Sequence, residues 1–326
     1  MEDISETELL QRIFPLLDTS GSALLGPGDD AAVIAAPDGR TVVTIDTQVQ
    51  DQDFRLRWAN GYETTGFDVG WKAGAQNLSD INAMGAEATA MVVSLTMPGK
   101  TPVGWVEGMA RGLDTAIREL GGGACSVAGG DLSRGSEIVV TVTVLGHLAG
   151  RAPVLRSGAM PGDVVALAGT AGRAAAGFAL LESGHGMDTL DEDQLALVKN
   201  QCRPLPPLWA GPAAAEAGAS SMIDLSDGLV RDSGRVATAS GVVVDLDLAA
   251  VDRLAAPLQS TAELLGANAR DWALGGGEDH GLLVTFRADK ELSEGFTRIG
   301  SIYAGEAGVT MNGDPLTITG WDHFAH

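Results

Sequence analysis

Short runs rich in Val and Ile recur along the chain at 41–46, 89–96, 138–146, 163–168, 241–247 and 281–286, and each predicts a strand. Between them apolar positions return every three or four residues, which predicts helices over 5–17, 62–84, 104–120, 170–183, 191–201, 206–217, 228–239 and 259–266. Ser5 and Glu8 stand in capping-box spacing at the first helix start. Strands alternating with helices predict an α/β protein, with mixed sheets as open as purely parallel ones. Gly150, Pro153, Gly158, Pro161 and Gly162 crowd together after the run 138–146, so a domain boundary is expected there, dividing the chain into 1–149 and 150–326.

With 326 residues the chain has room for about two ordinary domains. Hydrophobic residues make up 45% and charged residues 20%, which marks a globular protein. The formal charge of −22 excludes nucleic acid and anionic membrane surfaces as partners. Small phosphates remain admissible where metals bridge them to carboxylates. Cys125 and Cys202 lie far apart with no His or Cys nearby, which excludes a disulfide framework and a zinc site. The acidic start is no signal peptide, and no run nears the roughly 18 apolar residues of a membrane span, so the cytoplasm is the expected location.

Six acidic stretches carry the candidate chemistry: Gly28-Asp29-Asp30, Thr44-Ile45-Asp46, Asn77-Leu78-Ser79-Asp80, Gly129-Gly130-Asp131, Asp224-Leu225-Ser226-Asp227-Gly228 and Gly275-Gly276-Gly277-Glu278-Asp279. Gathered carboxylates repel unless a cation sits between them, and Mg²⁺ does so while keeping waters and phosphates in its shell. Lys72, Gln76 and Asp80 fall on one helical stripe, which suits either a metal–phosphate cluster or a solvated ion-pair face. The 224–228 turn offers metal ligands or, read plainly, a helix cap from Ser226 or Asp227. Three phosphate-loop candidates fall short. Gly99-Lys100-Thr101 lacks the first glycine of a P-loop and reads as a surface turn. Gly169-Thr170-Ala171-Gly172 lacks the dinucleotide spacing and reads as tight helix packing. Gly26-Pro27-Gly28-Asp29-Asp30-Ala31 puts two carboxylates where a pyrophosphate would dock, so it reads as a metal loop.

In this order these segments resemble the thiamine-monophosphate kinase family, of the superfamily of aminoimidazole ribonucleotide synthetase and selenophosphate synthetase. Arg156-Ser157-Gly158-Ala159-Met160-Pro161-Gly162-Asp163 and Gly320-Trp321-Asp322-His323-Phe324 extend the match nearly end to end. The resemblance implies a two-domain aminoimidazole ribonucleotide synthetase-like fold, with mixed sheets flanked by helices and the active site in the cleft between domains. It implies a homodimer built through the N-terminal domains, several Mg²⁺ ions, and ATP as donor of a γ-phosphoryl group to thiamine monophosphate. By the family pattern Asp30, Thr44, Asp46, Asp80, Asp131, Asp224 and Asp227 are the metal positions, with Asp80, Asp131 and Asp227 central to catalysis. Gly130, Asp131, Arg156 and Ser226 fall where the family contacts ATP. Asp53, Glu278 and Trp321 fall where it contacts the thiamine substrate.

The chain departs from the family in one segment. Where Val-Glu-Gly-x-His-Phe is usual, it reads Val49-Gln50-Asp51-Gln52-Asp53-Phe54, so aspartates replace a glycine and a substrate-contacting histidine; Ile45 replaces a threonine. Other readings are an enzyme of the same superfamily acting on a different substrate, a non-catalytic Mg-nucleotide sensor, and an acidic calcium-binding protein.

Overall fold

A computed structural model describes residues 6–17, 23–25, 33–317 and 320. The chain forms two compact units. One runs through Asn82 and resumes at Ala86–Gly150; the other takes Ala83–Gly85 and the chain from Arg151.

In the first unit, α1 (Glu6–Ile13) precedes two short antiparallel strands, β1 (Ala23–Leu25) and β2 (Val33–Ile34). Then come β3 (Val42–Val49), α2 (Gly66–Ala83), β4 (Glu87–Met97), α3 (Val103–Glu119), β5 (Ser126–Arg134) and β6 (Val139–His147). The sheet order is β3-β6-β4-β5; β4 and β5 run parallel and the other pairs antiparallel. The first helix is shorter than its pattern predicted, and its expected cap at Ser5 lies outside the described residues.

Helix α2 begins at Gly66, later than the periodicity predicted, because Thr65 caps it. The Asp68 N–H donates to the Thr65 hydroxyl (3.3 Å) and the Thr65 N–H to the Asp68 carboxylate (2.8 Å). This reciprocal pair satisfies N–H groups that a helix start leaves over. Across α3 the two helices meet at glycines. A Cβ on Gly70 would lie 2.0 Å from the Met109 carbonyl oxygen, and one on Gly112 would lie 2.1 Å from that of Phe67. Backbone touches backbone, which only residues without side chains permit.

Alternation along β3 gives the sheet two faces. Thr44 and Gln48 hydrogen-bond Asp80 and Gln76 of α2, so Asp46 between them points the same way. Val43 and Ile45, each 62% exposed, point the other way.

The second unit contains β7 (Val164–Ala168), α4 (Arg173–Glu182), α5 (Glu192–Cys202), α6 (Ala210–Ala217), β8 (Ser221–Asp224), α7 (Leu229–Ser240) and β9 (Val243–Leu246). It continues with α8 (Leu248–Ala255), α9 (Gln259–Leu265), α10 (Ala269–Gly275), β10 (Leu282–Phe286), β11 (Phe296–Tyr303), β12 (Gly308–Met311) and β13 (Asp314–Pro315). Its sheet order is β13-β12-β9-β11-β7-β10-β8, with β9 and β12 the parallel pair among the described strands. Val165 and Leu167 join one apolar layer with Ile223, Leu229 and Val236, while Val164 and Ala166 join another with Met222, Val284 and Phe286. Burial on both faces explains why β7 is an unbroken apolar run and β10 one interrupted by a single buried polar residue, Thr285.

Candidate active site

In the first unit, the Thr44 hydroxyl on β3 donates to Asp80 Oδ2 on α2 at 2.5 Å. Asp46 lies on the same face, two residues along the strand. The stripe Lys72, Gln76, Asp80 is not a solvated ion-pair face, because it lies against the sheet. Lys72 is buried and donates to the Asp53 carbonyl (3.2 Å), and Gln76 accepts from Gln48 (2.8 Å). Asp80 itself is half-buried. Two carboxylates and a hydroxyl are hard oxygen donors. Among the described residues no three His, Cys, Asp or Glu side chains gather into one cage. That donor set fits Mg²⁺, which binds through one or two carboxylates and completes its shell with water and phosphate.

Asp131 is not brought to this pair. It is exposed on the edge strand β5, where it accepts the Ser133 hydroxyl at 2.9 Å. Its cross-strand row is Thr47, Thr141, Ser94, Asp131, on the sheet face opposite Thr44 and Asp46. Three strand spacings also separate it from β3, roughly 14 Å. A Cβ on Gly130 would lie 2.1 Å from the Val93 carbonyl oxygen, so strand pairing alone already demands glycine there.

The departing segment closes on itself. The Val49 N–H donates to Asp53 Oδ2 at 2.7 Å, so Asp53 holds the turn that contains it. Asp51 adopts φ +65°, a left-handed conformation that suits glycine and that aspartate tolerates. Ile45 points to the open sheet face. Asp29, Asp30 and Trp321, and with them the 26–31 metal loop, lie outside the described residues.

In the second unit, two loops lie side by side. The Glu278 N–H donates to the Ser226 carbonyl (2.8 Å) and the His280 N–H to that of Leu225 (3.0 Å). Asp224, buried at the end of β8, meets His280 Nδ1 at 3.1 Å. Ser226 and Asp227 are half-buried. Neither caps α7, whose N-cap is Gly228 with no side-chain cap. Instead Asp232, one turn into the helix, accepts the N–H groups of Asp227 (3.0 Å) and Gly228 (3.1 Å). Burial above all, then the charge of Asp224, pushes the Asp232 carboxyl up to about 7 against the pull of the Asp227 N–H and of Arg235. Glu278 has φ +66° and accepts the Gln201 amide at 2.5 Å. Gly320 reaches this region too: a Cβ there would lie 2.4 Å from the Asp227 carbonyl oxygen and 2.8 Å from Arg231 Cβ. Arg156 is exposed in the loop before β7, its carbonyl fixed by the Ser240 hydroxyl (3.1 Å).

Asp279, part of the Gly275–Asp279 acidic stretch but given no individual role from the sequence, has a firm place. It is buried, and it accepts the Thr170 hydroxyl (2.9 Å) and the N–H groups of Gly172 (2.8 Å), Arg173 (3.1 Å) and Ala174 (3.3 Å). Burial raises its carboxyl above the usual range while these four donors pull it down. The N-terminus of α4 therefore already holds an anion, whose carboxylate takes the N–H groups of Gly172, Arg173 and Ala174 that a phosphate would need. Tight packing is present as well, since a Cβ on Gly177 would lie 2.1 Å from the Leu197 carbonyl oxygen. Gly99-Lys100-Thr101 is a surface turn, with the Thr101 N–H donating to the Pro98 carbonyl (3.0 Å). His280, Gln201 and Arg235 were also missed. Of these only Arg235 left a signal in the sequence, three residues after Asp232 on a predicted helix.

The sequence profile of AIR synthase related proteins matches in both halves, its N-terminal domain over residues 28–148 and its C-terminal domain over 160–308. The thiamine-monophosphate kinase of Mycobacterium tuberculosis is 42% identical over 325 residues, spanning 99% of this chain and 93% of that protein. The crystal structure of the same enzyme from Stenotrophomonas maltophilia aligns with a TM-score of 0.81 at 32% identity, over 96% of this chain and 98% of that one. AaThiL complexed with AMPPCP and TMP aligns with a TM-score of 0.77 at 27% identity, over 99% and 98% of the two chains.

Proposed function

The chain belongs to the thiamine-monophosphate kinase family of AIR synthase related proteins, and from that premise we propose that it transfers the γ-phosphoryl of ATP to thiamine monophosphate, giving thiamine diphosphate and ADP. The observation that carries this reading is the end-to-end identity with the mycobacterial kinase. The AaThiL complex, with an ATP analogue and TMP bound together, supports both reactants.

Transfer between two polyanions needs alignment and charge neutralisation more than covalent chemistry. Magnesium, when bound, supplies both. Asp46 and Asp80 would hold an ion in the first unit, and the Thr44 hydroxyl restrains the Asp80 carboxylate for that task. In the second unit Asp224 and Asp227 would hold an ion of their own, with His280 fixing Asp224. Asp131, three strands from Asp46 and on the opposite face of the sheet, would serve a separate ion with the nucleotide, as would Asp30. Gly130, Arg156 and Ser226 bind ATP. Glu278 and Trp321 take the thiamine end, the aromatic ring offering a face to a cationic heterocycle. Asp53 would face the acceptor from a self-closed turn, its carboxylate held by the Val49 N–H. No side chain has to remove a proton, because the acceptor phosphate is already ionised at neutral pH.

The protein acts as a homodimer through the open face of the first sheet. Val43 and Ile45 at 62% exposure and Val92 at 37%, flanked by Thr47, Thr141 and Thr143, form an apolar and hydroxyl-bearing surface of the kind that partners cover, with Asp131 on its far edge strand. Both cysteines are buried and neither is in a disulfide, and no helix among the described residues is long and apolar enough to cross a membrane. The cytoplasm fits both facts.

Incubating purified protein with Mg-ATP and thiamine monophosphate tests the reading. Chromatography should find thiamine diphosphate and ADP in equal amounts. Tight ATP binding with no thiamine diphosphate would replace the kinase by a nucleotide sensor.

A further inference from the structure

Arg235 on α7 forks between two carboxylates. One arm reaches Asp232 Oδ1 at 2.5 Å and the other meets Asp227 Oδ2. Asp232 is fully buried, and its second oxygen accepts the backbone N–H groups of Asp227 and Gly228. The arrangement closes a ring: the backbone of the 227–228 turn, the Asp232 carboxylate, the Arg235 guanidinium and the Asp227 side chain. Arg231, one helical turn earlier, comes within 4.0 Å of the same Asp227 oxygen. For both arginines the closest approach is to Oδ2. A carboxylate on an unsupported turn rotates freely; this one is held at its backbone and at one oxygen.

We propose that Arg235 is a positioning residue that sets the Asp227 carboxylate for its metal–nucleotide ligand. The inference rests on the reading of Asp227 as a metal-directed residue. Outer groups that hold a ligating carboxylate are worth about 10–100-fold in metal affinity. The same guanidinium is also a positive charge near the ion, and charge alone would weaken binding. The two effects have opposite signs, so removing Arg235 separates them. The planar fork favours positioning, since its two arms fix two carboxylates in a set geometry, which the rotatable point charge of an ammonium does not impose.

The test compares wild type, Arg235→Ala, Arg235→Lys and Asp227→Asn. Free Mn²⁺ is followed by electron paramagnetic resonance during titration in the presence of AMPPCP, alongside thermal midpoints and the KM and kcat for Mg-ATP. The Mn²⁺ dissociation constant should rise about 10–100-fold in Arg235→Ala and nearly as much in Arg235→Lys, with KM for Mg-ATP moving more than kcat. Unchanged Mn²⁺ affinity in both variants, or tighter binding in Arg235→Ala, would overturn the proposal. Wild-type Mn²⁺ binding by Asp227→Asn would instead remove the metal reading of Asp227 itself. Weakened binding in Asp227→Asn with both arginine variants unaffected would sink the positioning role alone. Should Arg235→Ala fail to fold, Arg235→Lys decides the question.

Discussion

Replacing Gly70 by alanine sets two effects against each other. Alanine favours an exposed helix by about 1 kcal/mol over glycine. At this position, however, the new Cβ would lie 2.0 Å from the Met109 carbonyl oxygen and 2.8 Å from its carbon. Side chains do not approach within 3.0 Å, so α2 must retreat from α3 by about 1 Å. The obstacle is backbone, and no rotamer change relieves it. Overpacking typically costs about 1–3 kcal/mol; with backbone as the obstacle the upper end applies, which leaves a net loss of about 2 kcal/mol and lowers the thermal midpoint by roughly 4–8 °C. The shift also travels along the rigid helix to Asp80, about 15 Å away. A hydrogen bond of 2.5 Å from Thr44 cannot stretch by 1 Å and survive. Misplacement on that scale can cost up to about 100-fold in rate, so kcat/KM for thiamine monophosphate should fall about 10–100-fold. Differential scanning calorimetry and a coupled ADP assay read both effects. A midpoint equal to or above that of wild type would refute the reasoning, since propensity alone would then govern.

Asp279→Asn turns an NH₂ group toward two of the four donors at the start of α4; it should cost about 2–5 kcal/mol, seen as a lower urea midpoint, and an unchanged midpoint would count against the built-in anion. Ile45→Glu buries a charge in the proposed dimer face, so light scattering should report a monomer, and a persistent dimer would place the interface elsewhere. The Cys125 thiol is pushed up to about 12 by burial. Iodoacetamide at pH 8 should therefore label it only after denaturation. The folded value lies above the unfolded one, so this group's contribution to stability is complete below about 9 and is lost as pH rises toward the folded value; rapid labelling of the native protein would contradict its placement.

The legibility of the chain followed the reach of its interactions. β7 and β10 showed as apolar runs because both faces are buried, and β6 showed through its inward Val140, Val142 and Val144. β5 did not show, because Gly129, Gly130 and Asp131 carry no strand preference of their own and the pairing with β4 supplies the structure. β11 was hidden in the same way by the irregularity between Arg298 and Gly300. The short helices α8 and α10 left signals that went unread: Asp247 accepts the Ala250 N–H (2.9 Å) and Asn268 the Arg270 N–H (3.0 Å), each a polar residue ahead of a helix. For the site, spacing alone put Lys72, Gln76 and Asp80 on one stripe. What the stripe faces was settled by Thr44 and Gln48, 36 and 28 residues away in sequence. The side of the sheet on which Asp131 lies depends on the register of three strand pairs, which no local pattern encodes. Asp279 and Arg235 became meaningful only once a loop and a helix met their partners.

The central proposal is that fixed carboxylates, through magnesium, hold ATP and the acceptor so that the phosphoryl group passes directly from one to the other. A single-turnover reaction with γ-³²P-labelled ATP and thiamine monophosphate tests it most directly, run with Mg²⁺, with chelator, and with Asp80→Asn. The label should move to thiamine diphosphate with none on the protein, fail to move under chelation, and move at least about 100-fold more slowly in the variant. Label retained on the protein, or wild-type transfer by Asp80→Asn, would contradict the account.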